Sequence, residues 1–410
     1  MSKKERTKVL WVGDAVATTG FARVGHSILT NLPNRKYDIH HLGINYSGDP
    51  HEFPYKIYPA ILGGDLYGIK RLESLVKETI KPDLIVLLND PWVIQQYLKE
   101  LSRFKNTVPV VTYSPIDAEE QTAEWFSLYD EQVKEVCVYT EFGKRVILES
   151  AGEYLNGYDI NVIPHGIDTG VFFPYKGTDV ASGTDNAKKA LYPWKDRPEF
   201  LNSFIVLNAN RNQPRKRIDL TIRAFSEFAK DKPDNVKLYL HMGTKDMGVD
   251  ILNLAARYGI DEKLIISANT PNIPGVEDQR LNLIYNACDI GINTSVGEGW
   301  GLTSWEHAAA GKPQIVADNS VLREIWQDDA IYIDCPEYMI HERVNTLARV
   351  PSHNSIVKAL EFAYNDWLNG GLELNAMATR SYERITSSKY NWKTISKQFD
   401  KVFMRAVNGN

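Results

Sequence analysis

The sequence predicts an α/β protein built from two Rossmann-like domains, each a doubly wound parallel sheet, and three observations lead there. The chain has 410 residues, longer than one hydrophobic core usually grows, so two domains of roughly 150 to 200 residues are expected. Short apolar runs alternate with amphipathic stretches in two successive series, as in sheets whose strands are covered on both faces by crossover helices. Between the two series, around 174–200, the pattern breaks into PYKGTDVASGTDNAKKALYPWKDRP, rich in Gly, Pro, Ser, Thr and Asp, which reads as a linker followed by a short helix.

In the first series the strand candidates are KVLWV (8–12), DIHHLGIN (38–45), DLIVLLN (83–89), VPVVTY (108–113), EVCVYT (135–140) and INVIP (160–164). In the second they are SFIVLN (203–208), VKLYLHM (236–242), KLIISAN (263–269), DIGINTS (289–295), KPQIVAD (312–318) and AIYIDC (330–335). After about 353 the sequence turns helical, and the segment from Asn391 to about Ala406 has no strand partner. The predicted organisation is a first domain over 1–173, a linker over 174–200 and a second domain over 201–390, with the segment 391–410 as a closing helix. Such sheets bind ligands at the carboxyl ends of their strands, so two halves facing each other would place the site in a central cleft.

Composition narrows the function. Hydrophobic residues make up 43% and charged residues 24%, which fits a packed globular protein and excludes a fibrous or disordered chain. The net charge of -5 supplies no general basic field for nucleic acid. Cys137, Cys288 and Cys335 are far apart and odd in number, so they read as small core residues, with neither a disulfide framework nor a zinc site. No stretch reaches the roughly 20 apolar residues of a membrane span, and MSKKERTKVLWVGD lacks the pattern of a signal peptide. The expected location is the cytoplasm.

The segment that carries most chemistry is GEGWGLTSWEHAAAGKP (297–313), directly after the strand DIGINTS. Gly297, Gly299 and Gly301 let the backbone turn sharply beside a ligand, and LTSWEHAAA then forms a helix ended by Gly311 and Pro313. The N-terminus of that helix suits an anion. Glu298 in the loop and Glu306 within the helix are carboxylates that can each accept two hydroxyl hydrogen bonds, as a sugar or a ribose offers. A plainer alternative is a capping box between Thr303 and Glu306.

A second segment, NANRNQPRKRID (208–219), follows the strand SFIVLN. There Arg211 and Lys216 can converge on a diphosphate and stabilise its growing charge; the alternative is a solvated basic loop. In the first domain, GDAVATTGFARVGHSIL (13–29) sets Gly13 and Gly20 around a polar loop before a helix, a spacing that is not the dinucleotide fingerprint.

Arg211-x4-Lys216 and Glu298-x7-Glu306, with HGID (165–168) before the linker, resemble glycosyltransferase family 4. The resemblance covers about 160–335 well and the first domain in outline. It implies the GT-B fold, with the closing helix crossing back to the first domain, and retention at the anomeric carbon. It further implies that Arg211 and Lys216 bind the donor diphosphate, Glu306 the ribose, and Glu298 the transferred sugar. Backbone amides from Gly299 through Trp300, Gly301, Leu302 and Thr303 would border the sugar and phosphates, and Gly20 would approach the phosphate from the first domain. Many members carry a His after the fourth strand of the first domain. Here SPIDAEE follows instead, so Asp117, with Ser114 behind it, is the nearest polar replacement, while a turn-forming Asp after Pro115 is equally consistent. His165 reads as a junction residue.

The expectation is therefore sugar transfer from a nucleotide diphosphate, with no metal and no cofactor, since two cations and helix amides stand in for Mg2+ and no Asp-x-Asp cluster lies in a suitable loop. UDP is favoured over GDP only as the commoner carrier. The acceptor is open: a carbohydrate or small molecule, a lipid-linked sugar, or a hydroxylated DNA base. For the last, TTGFARV and the aromatic loop 45–65 could hold a splayed base, against an acidic first domain with 18 Lys and Arg to 23 Asp and Glu in residues 1–170. A lipid-linked acceptor is opposed by the balance of Lys70, Arg71 and Lys77 with Glu73 and Glu78. A sugar-nucleotide-binding scaffold without turnover is the reading from a different class. Oligomeric state and peripheral membrane contact are not encoded in these motifs.

Overall fold

The computed structural model describes residues 6–61, 64–177, 180–191, 200–272 and 274–409. The chain divides into two units, one formed by Met1–Gly166, Glu342–Thr346 and Ser388–Asn410, the other by Ile167–His341 and Leu347–Ser387.

The first unit holds a seven-stranded sheet of β1 (Thr7–Asp14), β2 (Tyr37–Ile44), β3 (Lys56–Pro59), β4 (Leu84–Leu88), β5 (Val110–Ser114), β6 (Val133–Val138) and β7 (Asn161–Val162). The order is β3-β2-β1-β4-β5-β6-β7, and every pairing is parallel. All five residues of β4 are buried, as a strand with helices on both faces requires. The order reverses between β1 and β4, which pair from Val9↔Leu84 onward. One strand was not foreseen: the segment 45–65, read as a loop, contains β3. It is short, lies at the sheet edge and ends in Pro59, where a missing N–H does no harm. Residues 62 and 63 of that segment lie outside the described residues.

The helix Trp392–Asn408 belongs to this unit. The Ser396 hydroxyl donates to the Ile28 carbonyl at 3.0 Å, Lys36 and the Tyr37 hydroxyl both reach Asp400, at 2.6 and 2.5 Å, and Arg405 forks onto Glu135 at 2.8 Å twice. Beneath them Phe399 meets Trp11 and Tyr113 edge-on.

The second unit repeats the design with β8 (Phe204–Asn208), β9 (Val236–Leu240), β10 (Leu264–Ile266), β11 (Ile290–Asn293), β12 (Gln314–Ala317) and β13 (Ile331–Ile333). Its order is β10-β9-β8-β11-β12-β13, all parallel, reversing between β8 and β11. An antiparallel pair, β14 (Glu337–Ile340) with β15 (Leu347–Val350), adds a ribbon that the sequence reading left out. Its strands are too short and too exposed to carry an alternating signature.

The segment 174–200 is also not a free linker. The unit boundary falls at Gly166/Ile167, and the helix Val180–Ala190 is built into the second unit. Lys188, only 2% exposed, donates to the Ser203 carbonyl at 2.7 Å and to Asp289 at 3.0 Å. Asp289 also accepts from the Ile205 amide at 2.9 Å. A second buried cation, Lys312, donates to the Thr184 hydroxyl of the same helix; a Gly, Ser and Thr composition hid both ties. Residues 178–179 and 192–199 of that segment lie outside the described residues.

The three cysteines are free and buried. Among the described residues no helix is long and apolar enough to cross a membrane.

Candidate functional site

In the second unit, the chain leaves β8 and β11 side by side, because Ile290 pairs with Val206 and Gly291 with Leu207. The loops after them, 209–217 and 294–301, therefore meet at the point where the strand order reverses, the place where open α/β sheets bind ligands. They are laced together. The Val296 amide donates to the Arg215 carbonyl at 2.9 Å, the Arg215 guanidinium to the Gly297 carbonyl at 2.9 Å, and the Thr294 hydroxyl to the Lys216 and Arg217 carbonyls at 3.0 Å each.

Between the loops lies Glu298, 4% exposed. Its Oε1 accepts from Lys216 Nζ and, at 3.1 Å, from Asn293 Nδ2, and its Oε2 stands 3.6 Å from Arg215 Nη1. Burial pushes this carboxyl up, but the Lys216 ammonium and the Arg215 guanidinium outweigh burial and hold it below the usual carboxylate range.

The helix Leu302–Ala309 starts immediately beyond. Its cap is Gly301, left-handed at φ 86°, a conformation in which a side chain would be strained. No side chain caps it, so the capping-box alternative does not form. The Thr303 hydroxyl instead donates to Asn210 Oδ1 at 3.2 Å, and Glu306, 4% exposed, accepts from the Tyr285 hydroxyl at 3.0 Å. The first-turn amides of this helix have no acceptor within the helix. Trp300 is buried edge-on against Trp305 at 5.1 Å, so Gly299, Trp300 and Gly301 can offer a ligand backbone only. Gly291 is required for packing: an added Cβ would stand 2.2 Å from Gln314 Oε1 and 2.6 Å from His307 Nδ1. That His307 ring donates to the Tyr285 carbonyl, accepts from Gln314 and, through burial, titrates near 3; it is a neutral strut.

Arg211 stands differently from the expectation that it converges with Lys216. Its guanidinium forks onto Asp246, at 2.6 and 3.2 Å, and the second cation beside Glu298 is Arg215. Arg215 was missed because three successive cations, Arg215 to Arg217, do not reveal which turns inward. Asn293 and Tyr285 were missed as well. A polar residue ending an apolar strand, as Asn208 and Asn293 both do, was the available signal.

In the first unit, Gly20 opens the helix Gly20–Asn31, capped by Thr19, whose hydroxyl accepts from the Ala22 amide at 3.2 Å and donates to Asp14 at 2.6 Å. Asn45 reaches the same Asp14 oxygen at 3.1 Å. His26 accepts from the Val16 amide at 3.0 Å, contacts the Tyr55 hydroxyl at 2.6 Å and stacks on Phe53 with ring centres 3.5 Å apart. Of the aromatic residues of 45–65, Tyr46 and Tyr58 are buried, while Phe53 and Tyr55 keep partial exposure. Asp117 lies half-buried just after β5. His165 is enclosed by Tyr113, Tyr139 and Trp392, and burial lowers it to about 3, which fits a junction residue.

Residues 194–367 match the family described as Glycosyl transferases group 1. D-inositol 3-phosphate glycosyltransferase of Salinispora tropica is 27% identical over 179 residues, 41% of this chain and 34% of that protein. Mannosylfructose-phosphate synthase of Agrobacterium fabrum is 30% identical over 178 residues, 42% and 35%. The matches thus span about a third of the length of these curated relatives. Among solved structures, sucrose-phosphate synthase from Thermosynechococcus elongatus superposes with a TM-score of 0.72 at 14% identity, covering 99% of this chain and all of that one. HepE of Anabaena, solved with UDP-glucose, gives 0.68 at 14%, covering 97% and 100%. The protein has the GT-B fold, and residues 194–367, all but 342–346 of them within its second unit, are similar to the group 1 glycosyl transferases.

Proposed function

We propose that the protein is a retaining glycosyltransferase that moves a sugar from a nucleoside diphosphate to a hydroxyl acceptor. The observation that carries this reading is the cluster at the β8/β11 reversal, where Lys216, Arg215, Glu298 and the first turn of Leu302–Ala309 adjoin one another. The diphosphate competes with Glu298 for Lys216 and for Arg215, joined by Arg211 on leaving Asp246; the released Glu298 carboxylate accepts from sugar hydroxyls. Glu306 takes the ribose hydroxyls, and the amides of Gly299 to Thr303 border the phosphates. In the first unit, Gly20 approaches the phosphate and Asp117 stands in for the His expected near the anomeric carbon.

Transfer proceeds on one face of the sugar. The acceptor oxygen bonds to the anomeric carbon as the bond to the diphosphate oxygen breaks, and the acceptor proton passes to that leaving oxygen. Lys216 and the arginines stabilise the departing charge, which is preorganised electrostatic catalysis; in this proposal no metal or cofactor takes part. UDP is the first nucleotide to test, since HepE was solved with UDP-glucose.

The test is thermal stabilisation by UDP, GDP and ADP and their sugars, with and without EDTA, because a ligand of the folded state raises the melting temperature. One nucleotide should give a shift that EDTA leaves intact, and Lys216→Ala and Glu306→Ala should each lower donor hydrolysis or transfer by about tenfold or more. Full activity in both variants would show that the site lies elsewhere. Binding without transfer or hydrolysis would make the protein a sugar-nucleotide-binding scaffold.

A further inference from the structure

The two loops of the site are joined beneath the surface by a chain of buried side chains. The Thr303 hydroxyl donates to Asn210 Oδ1 at 3.2 Å. Asn210 donates through its backbone and its amide to Asn208 Oδ1, both at 3.1 Å. Asn208 Nδ2 donates to Thr221 Oγ1 at 3.1 Å, Thr221 meets Thr294 hydroxyl to hydroxyl at 2.8 Å, and Thr294 donates to the Lys216 and Arg217 carbonyls at 3.0 Å. Asn208, Asn210, Thr221 and Thr294 are all 3% exposed or less.

Proton counting fixes the direction. A hydroxyl has one proton. Thr294 uses its proton on the two carbonyls, so its oxygen must accept from Thr221. Thr221 has then used its own proton, so its oxygen accepts from Asn208. Every donor in the chain points from the helix Leu302–Ala309 toward the basic loop. Aligned bonds of this kind polarise one another, and a buried network with each group satisfied rigidifies its surroundings.

We infer that this relay is a positioning device: it sets the spacing between the Lys216 loop and the first turn of the Leu302–Ala309 helix, so that both meet one diphosphate. Thr221, on the helix Ile218–Phe228, is the positioning residue that joins Asn208, at the end of β8, to Thr294, just after β11. The inference rests on the glycosyltransferase reading for its catalytic consequence but not for the coupling itself.

The experiment uses Thr221→Val, which keeps the shape and removes the link, Thr221→Ser, which restores a hydroxyl, and Ile356→Val, a core change in the same unit far along the sequence from the relay. Amide exchange is followed in peptides covering 211–217 and 299–305, and kcat and KM are measured with whichever nucleotide-sugar stabilises the protein in the thermal panel. The relay predicts that Thr221→Val speeds exchange in both peptides together and lowers kcat by about tenfold or more, that Thr221→Ser recovers most of the loss, and that Ile356→Val does neither at matched melting temperature. If exchange rises in one peptide only, or if the valine variants lose kcat equally, the inference is overturned. If wild type turns over no nucleotide-sugar, the proposed function falls, while the exchange pattern still decides the coupling.

Discussion

The two units share a topology and differ in what they place at the same point of it. Where the strand order reverses in the first unit, Asp14 ends β1 and Asp90 follows β4; Asp14 accepts from the Thr19 hydroxyl and the Asn45 amide, and the rings of His26, His41, Phe53 and Tyr55 pack nearby. Where it reverses in the second, beside β8 and β11, Lys216 and Arg215 meet Glu298, and a buried Asn and Thr relay lies beneath. A common scaffold thus supplies the location, and the residues at strand ends supply the chemistry: a carboxylate bonded by a hydroxyl and an amide in one unit, a carboxylate bonded by an ammonium in the other.

Acid should act on the buried imidazoles of this comparison with the largest effect. Burial holds His26 near 4 and His41 and His165 near 3 in the first unit, and His241 near 4 and His307 near 3 in the second. The unfolded chain binds these protons near 6.5 and the folded chain does not. The stability they contribute is therefore complete above pH 6.5 and is lost as pH falls toward 4 and 3, by about 1.4 kcal/mol per pH unit for each imidazole. Thermal unfolding from pH 7 to 5 should show a steep decline, greater in the unit with three such rings. A flat profile would mean that the rings are not buried in the neutral form.

Substitutions at the two carboxylates should show the difference between them. Glu298→Ala removes the carboxylate partner of the Lys216 ammonium and should destabilise the second unit by about 3–5 kcal/mol, whereas Asp14→Ala, which removes the acceptor of the Thr19 hydroxyl and the Asn45 amide, should cost about 1–3 kcal/mol. Urea unfolding measures both, and equal losses would erase the distinction. The smallest effect is expected between arginines. Arg215→Ala should weaken nucleoside diphosphate binding by about tenfold, and Arg211→Ala by less, since Arg211 must first give up its forked contact with Asp246 to reach the ligand. Calorimetric titration decides this. An unchanged affinity in Arg211→Ala would show that Arg211 stays on Asp246 when the ligand arrives.

Twelve strands were legible because buried parallel strands are continuous apolar runs, as LIVLL and FIVLN are. The strand Lys56–Pro59 and the ribbon Glu337–Ile340 with Leu347–Val350 were not, since edge and exposed strands lack that signature. The pairing of Lys216 with Glu298 was in reach, because each lies in a loop after a strand and those strands are neighbours. The turn of Arg211 toward Asp246 was not, for it depends on the path of the loop 243–250, which carries no periodicity. The embedding of the helix Val180–Ala190 was hidden for a related reason. Its anchors are Lys188 and, from outside the helix, Lys312, a residue type that usually marks an exposed face.

The division of the chain also orders its synthesis. The second unit is an insertion within the first, whose sheet comes from Met1–Gly166 but whose covering helix comes from Ser388–Asn410. On the ribosome the early sheet must wait with the face around Trp11 and Tyr113 uncovered while the inserted unit is made, for tens of seconds at ~5–20 residues per second. The inserted unit can fold meanwhile, because nearly all of its chain emerges before the last helix does. Shielding of that waiting apolar face by a chaperone is thus a demand that the order of the segments places on the cell.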